Sequence, residues 1–280
     1  MRVFLTGATG FVGRHTLQRL DATRCELALC LVRDATRLAG KSRRPTYVRA
    51  IPGDLTRPET YIKELEGVDV VVHLHGWWNN IDTVLKRYRL PQQVAESGKN
   101  VILVVPEGPR NAPDSFGGKF EDPGGFKKFI EDVAAFLVRE SKIKTQTVGT
   151  IVLTGHSGAY HGISFALMRG GIPDKIREVY LFDALYGQTE KYAYWIDHYK
   201  GKMITVYTDS GGTKDETDSL MDDLRGWGIP YFADHETKLA PGDLLSNRLI
   251  FIRSDLGHDM VMHGRMQYRD YLKASGLPDR

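Results

Sequence analysis

Thr150-Ile151-Val152-Leu153-Thr154-Gly155-His156-Ser157-Gly158-Ala159 sets a β-rich apolar run directly before a turn of small residues. Behind the turn, Ile163–Met168 is compatible with a helix. The stretch reads as strand, sharp bend, helix. Such a bend is strained, and it pulls together the residues two before and two after Ser157. Gly155 and Ala159 leave the room this needs. The serine is then exposed at the start of a helix, where backbone N–H groups point at any negative charge that develops there.

The same punctuation recurs outward from this stretch. Apolar runs bounded by turn residues predict strands at Arg2–Thr6, Leu27–Val32, Thr46–Ile51, Asp69–Leu74, Val101–Val105, Glu178–Phe182, Met203–Tyr207 and Arg248–Arg253. They are short and mostly continuous, as parallel strands covered on both faces should be. Helical patterns lie between most of them. Thr56-Arg57-Pro58-Glu59 opens one with a capping-box pattern. Thr213-Lys214-Asp215-Glu216 opens another, with Leu220, Met221 and Leu224 on one face and Gly226 at its end. This alternation predicts an α/β fold of three αβα layers around a mostly parallel, doubly wound sheet. The stretch Pro106–Phe126, rich in Gly, Pro, Asn and Asp, breaks the rhythm and is expected to cover a pocket.

At the N-terminus, Gly7-Ala8-Thr9-Gly10-Phe11-Val12-Gly13 follows a strand and precedes a helix. Glycines at this spacing permit a tight turn and let backbone N–H groups approach a pyrophosphate. Later strands end in Leu31-Val32-Arg33-Asp34, Gly53-Asp54-Leu55 and Val68-Asp69-Val70-Val71-Val72-His73-Leu74. This order resembles the start of the extended short-chain dehydrogenase/reductase family, which includes epimerases and dehydratases, over residues 1–74. The resemblance implies a Rossmann-like βαβαβ half in which Gly7, Gly10 and Gly13 hold the pyrophosphate of NADP or NAD. It implies Arg33 at a ribose 2′-phosphate and Asp54 at the adenine, the guanidinium favouring NADP. The family's Tyr-x-x-x-Lys pair is missing, because no tyrosine of this chain has lysine four residues later. An NAD(P)-binding protein without hydride transfer is therefore the alternative reading of the chain.

After Leu74 the character changes. Gly155-His156-Ser157-Gly158-Ala159 resembles the nucleophile elbow of the α/β-hydrolase family, with alanine in the last glycine's place. This resemblance covers about residues 69–280 and implies a serine hydrolase with Ser157 as nucleophile. His75-Gly76-Trp77 fits the other half of an oxyanion hole, with donors at Gly158 and at Gly76 or Trp77. The family's histidine lies in a loop after the last strand, where Ser254-Asp255-Leu256-Gly257-His258-Asp259 supplies His258, with His263 as rival. Two acids remain open for the triad. Asp183 ends the strand after the elbow in an apolar, aromatic setting; Asp209 ends the next strand. Asp215 and Glu216 read as ordinary first-turn helix acids. Tyr160, Tyr186 and Trp195 either line the pocket or pack in the core. The two resemblances share the strand Asp69–Leu74, and the junction reads as a recombined or fused gene. Their sheets join most simply if Arg2–Thr6 pairs with Val101–Val105, giving one continuous sheet across a segment 1–74 and a catalytic region 75–280.

Composition narrows the partners. The 280 residues carry a net charge of only +3, with Lys and Arg spread along the chain, which argues against a nucleic-acid partner. No apolar run approaches the roughly 18 residues of a membrane span, and no secretory signal is visible. The two cysteines, Cys25 and Cys30, fit buried thiols in a reducing cytoplasm. The expected partner is a small-molecule ester or amide, cleaved with no metal or organic cofactor required.

Overall fold

The computed structural model describes the backbone of residues 2–6, 27–32 and 48–52, and residues 67–143 and 145–280 in full. The chain divides into two compact units, Met1–Glu66 (with Arg280) and Gly67–Asp279. In the first, β1 (Arg2–Thr6), β2 (Leu27–Val32) and β3 (Val48–Pro52) form a parallel sheet in the order β1-β2-β3. The helix expected from Thr56 lies outside the described residues, as does the Gly7–Gly13 turn.

The second unit is built on a seven-stranded sheet. Its strands are β4 (Val68–Leu74), β5 (Ile102–Val104), β6 (Val148–His156), β7 (Ile176–Phe182), β8 (Lys202–Thr208), β9 (Phe232–His235) and β10 (Leu249–Ser254). Their order is β5-β4-β6-β7-β8-β10-β9, and every pair is parallel. Helices α1 (Ile81–Arg87), α2 (Leu90–Glu96), α3 (Gly125–Arg139), α4 (Tyr160–Arg169), α5 (Thr189–Tyr199), α6 (Lys214–Gly226), α7 (Pro241–Ser246) and α8 (Gln267–Lys273) complete the α/β architecture.

The strands read as continuous apolar runs because both faces are covered. Successive strand side chains point to opposite faces. Val70 and Val72 of β4, Leu249 and Phe251 of β10, and Leu153 of β6 enter one core with residues of α3 to α6. Val71, Val152, Ile250 and Ile252 enter the other with Val84, Tyr88, Leu90 and Val94 from the α1–α2 region and Tyr268, Tyr271 and Leu272 from α8. Trp195 of α5 belongs wholly to the first core: its indole is fully buried and occupies the space that a side chain at Gly201 would need. It does not line a pocket.

Within each unit the pairing is that of a doubly wound parallel sheet, with β1 beside β2 and β5 beside β4. The unit boundary falls before β4, which lies between β5 and β6 inside the larger sheet. Finally, β9 was not foreseen, because Phe232-Ala233-Asp234-His235 is a short edge strand with no apolar run.

Removing the Trp195 indole leaves a large void in one core. Trp195→Ala is expected to cost about 3–5 kcal/mol, read as a lower urea midpoint of unfolding; an unchanged midpoint would contradict the packing role.

Candidate active site

The bend after β6 has the predicted form. Ser157 adopts a left-handed backbone, φ 57°, and opens a short 3-10 turn, Ser157–Ala159, that leads into α4. A non-glycine residue held there costs on the order of 1–3 kcal/mol, so the surroundings must enforce it. They do so by close packing. A Cβ on Gly155 would lie 2.7 Å from the Cβ of Ala159 and 2.5 Å from Ile163 Cδ1. A Cβ on Gly76 would lie 2.5 Å from the Ser157 Cβ and 3.0 Å from the Gly158 nitrogen. The main chain after β4 thus lies directly against the bend, which brings Gly76, Trp77 and Gly158 together.

His75 fixes that main chain with its side chain. Its buried ring has Nδ1 2.9 Å from the Gly76 carbonyl, to which it donates. Its Nε2 lies 3.0 Å from the Gly108 N–H and 3.0 Å from Glu107 Oε1. The indole of Trp77 crosses Gly158 and donates to Ser115 Oγ at 2.7 Å. Residues 106–120 of the glycine- and proline-rich stretch are thereby tied to the bend. They wall a cavity of about 590 Å³ with Leu74, His75, Gly158, Ala159 and Gly162, its apolar surface coming from Pro106, Pro109, Phe116, Phe120 and Phe129.

Of the two acids left open, Asp183 meets His258 and Asp209 does not. Asp183 follows β7 in a left-handed conformation, φ 46°, and its carboxylate is fully buried. Oδ2 accepts from His258 Nδ1 at 2.7 Å and from the Thr208 hydroxyl at 2.8 Å. Oδ1 accepts from the Thr208 N–H at 3.2 Å and from the Thr213 hydroxyl. Burial by itself raises this carboxyl; the hydrogen bonds from His258, Thr213 and Thr208 outweigh it and hold it below the usual carboxylate range. Thr213, just before α6, spends its hydroxyl on the acid and makes no capping bond to the helix. Asp209 is half exposed and paired with Arg253, its Oδ1 3.0 Å from Arg253 Nε. His263 packs against Tyr88, ring centres 5.8 Å apart, far from this role.

Tyr186 stands beside the histidine. Its ring stands edge-on to that of His258 with centres 6.3 Å apart. It also donates to the Gly211 carbonyl at 2.5 Å and packs against Tyr160. Burial, then the nearby Asp183 carboxylate, raise the phenol's pKa, so it stays a neutral donor. Sequence reasoning missed four contributors: His156, Tyr88, Asp259 and the loop Thr208–Thr213. His156 and Asp259 had a signal, since each adjoins a predicted site residue; Tyr88 had none.

The candidate nucleotide-binding residues Gly7, Gly10, Gly13, Arg33 and Asp54 lie outside the described residues. Among the described residues no cluster of His, Cys, Asp and Glu is arranged to hold a metal, and no helix is long and apolar enough to cross a membrane.

Comparison with known proteins gives two separate likenesses. The model of the NAD dependent epimerase/dehydratase family matches residues 3–100. The structure is similar to a ferulic acid esterase (18% identity, TM-score 0.49, 77% of this chain and 89% of that one). It is also similar to an S-formylglutathione hydrolase from Agrobacterium tumefaciens (11%, TM-score 0.44, 74% and 85%). A third is a thermophilic esterase from Thermogutta terrifontis (13%, TM-score 0.42, 75% and 80%). No curated protein matches the chain. At such distances the geometry around Ser157, rather than these likenesses, carries the functional reading.

The depressed Asp183 carboxyl makes a signed pH prediction. Its contribution to stability is complete above about pH 4 and is lost as pH falls through the lower native value. Urea midpoints of wild type and Asp183→Asn should therefore differ at neutral pH and converge in acid. A gap that stays constant down to about pH 2 would contradict the assignment.

Proposed function

We propose that the chain is a serine hydrolase that cleaves a carboxylic ester or amide through an acyl-enzyme. The observations that carry this reading are the 2.7 Å contact between His258 Nδ1 and the buried Asp183 carboxylate and the strained bend that holds Ser157. Asp183 fixes the ring so that Nδ1 bears a proton and Nε2 is free to accept one. Ser157 Oγ attacks the carbonyl carbon while His258 Nε2 takes its proton. The carbonyl oxygen gains the negative charge, which the Gly158 N–H and that of Gly76 or Trp77 stabilise; one such donor is typically worth about 3 kcal/mol. His258 then passes its proton to the leaving alcohol or amine. Water, activated by the same imidazole, releases the acid and restores the serine. No step needs a cofactor.

The leaving group must lie on the His258 side, since that ring protonates it. The cavity is walled by Gly158 and His75, is mostly apolar, and does not have His258 among its lining residues. It suits the acyl part of the substrate.

A fluorophosphonate probe tests the reading. Ser157 is expected to be labelled, and Ser157→Ala to lose labelling together with at least about a thousandfold of any nitrophenyl ester hydrolysis. Labelling elsewhere, or hydrolysis that survives the substitution, would overturn it.

A second reading concerns the first unit. The epimerase/dehydratase match and the parallel β1-β2-β3 sheet favour a retained dinucleotide site. If Gly7, Gly10 and Gly13 hold a pyrophosphate and Arg33 a 2′-phosphate, NADP should raise the melting temperature of the full chain more than NAD, and Arg33→Glu should abolish the difference. Equal, null responses to both would dismiss this site.

A further inference from the structure

His258 lies in the loop after β10, with neither helix nor strand to hold it, and its side chain is partly exposed. Asp183 grips the ring at one atom only, and a ring held at one atom can pivot about it. Something must fix the main chain as well.

His156 does so. It is the last residue of β6 and adjoins Ser157 in the chain. Its ring is buried, and Nε2 lies 2.9 Å from the main-chain carbonyl of His258. A carbonyl only accepts, so Nε2 must carry a proton and donate it. The two imidazoles lie with their centres 4.6 Å apart. Nδ1 of His156 lies 3.4 Å from the Tyr88 hydroxyl, and that hydroxyl donates to Asp259 Oδ1 at 2.9 Å. Asp259 also accepts from Arg87 at 2.5 Å. The end of α1 thus holds the residue after His258, while β6 holds His258 itself.

We propose that His156 is a positioning residue for the general base, one side chain that sets the spacing between the nucleophile's strand and the loop of His258. The assignment rests on the hydrolase reading above. Charge supports it. Burial, then the neighbouring His258, lower the His156 imidazole to about 4. It is therefore neutral at physiological pH, and adds no repulsion when His258 becomes an imidazolium during acyl transfer. The Asp259 carboxylate on the far side of the ring is held in place by Tyr88 and Arg87.

Two substitutions separate positioning from plain packing. Gln places an amide N–H near the position of Nε2; Leu fills similar space with no donor. His156→Leu is expected to slow fluorophosphonate labelling of Ser157 and kcat for nitrophenyl acetate by about a hundredfold, the usual scale for a reacting group displaced by about 1 Å. KM should change little, and His156→Gln should recover most of the rate. Wild-type labelling by His156→Leu, or a folded His156→Gln as slow as His156→Leu, overturns the assignment. Should His156→Leu fail to fold, Tyr88→Phe carries the test. It removes the hydroxyl that holds Asp259 beside the ring packed on His156, and a several-fold loss of kcat at constant KM is expected; an unchanged kcat overturns the assignment. Absence of Ser157 labelling in the wild type overturns the hydrolase reading, and this assignment with it. Normal wild-type labelling with indifferent His156 variants removes this assignment alone.

Discussion

The carboxylate of Asp183 has no access to solvent. A buried charge costs several kcal/mol unless it is paired and hydrogen-bonded. Much of the surrounding structure answers that requirement. Thr208 at the end of β8 supplies a hydroxyl and an N–H, Thr213 before α6 a second hydroxyl, and His258 after β10 an imidazole N–H. Gly211 passes so close that a Cβ there would lie 1.9 Å from Oδ2. Satisfying one carboxylate therefore draws together the ends of three parallel strands. It also fixes where the imidazole can sit.

Close approach does the same for the serine. The bend at Ser157 survives because Gly155, Ala159 and Gly76 let the main chain come nearer than side chains would permit. The same nearness that maintains the strained backbone sets the main chain of Gly76 against Ser157 and Gly158. His75 secures it from behind, by holding the Gly76 carbonyl with one ring nitrogen and the Glu107–Gly108 turn with the other. The long loop before α3 is consequently part of the site's frame, and it closes the apolar cavity.

The family match over residues 3–100 includes β4, which is built into the seven-stranded sheet between β5 and β6. A continuous apolar strand, Val70-Val71-Val72, is compatible with either context, since both ask only for a parallel strand covered on two faces. The compact units divide at Glu66/Gly67, before this strand.

The sequence by itself determined the features that depend on local chemistry. Apolar runs located nine of the strands to within a few residues, small residues marked the bend around Ser157, and strand-end positions nominated His258, Asp183 and Asp209. Those signals are local because strand sterics, turn strain and exposure act over a few neighbours. Only the tertiary structure decided which acid meets the histidine, because Asp183 and Asp209 have equivalent places at adjacent strand ends. Their separation comes from Arg253 on one side and from Thr208 and Thr213 on the other. It alone revealed Tyr88 and Asp259, whose hydrogen bond joins residues 171 positions apart.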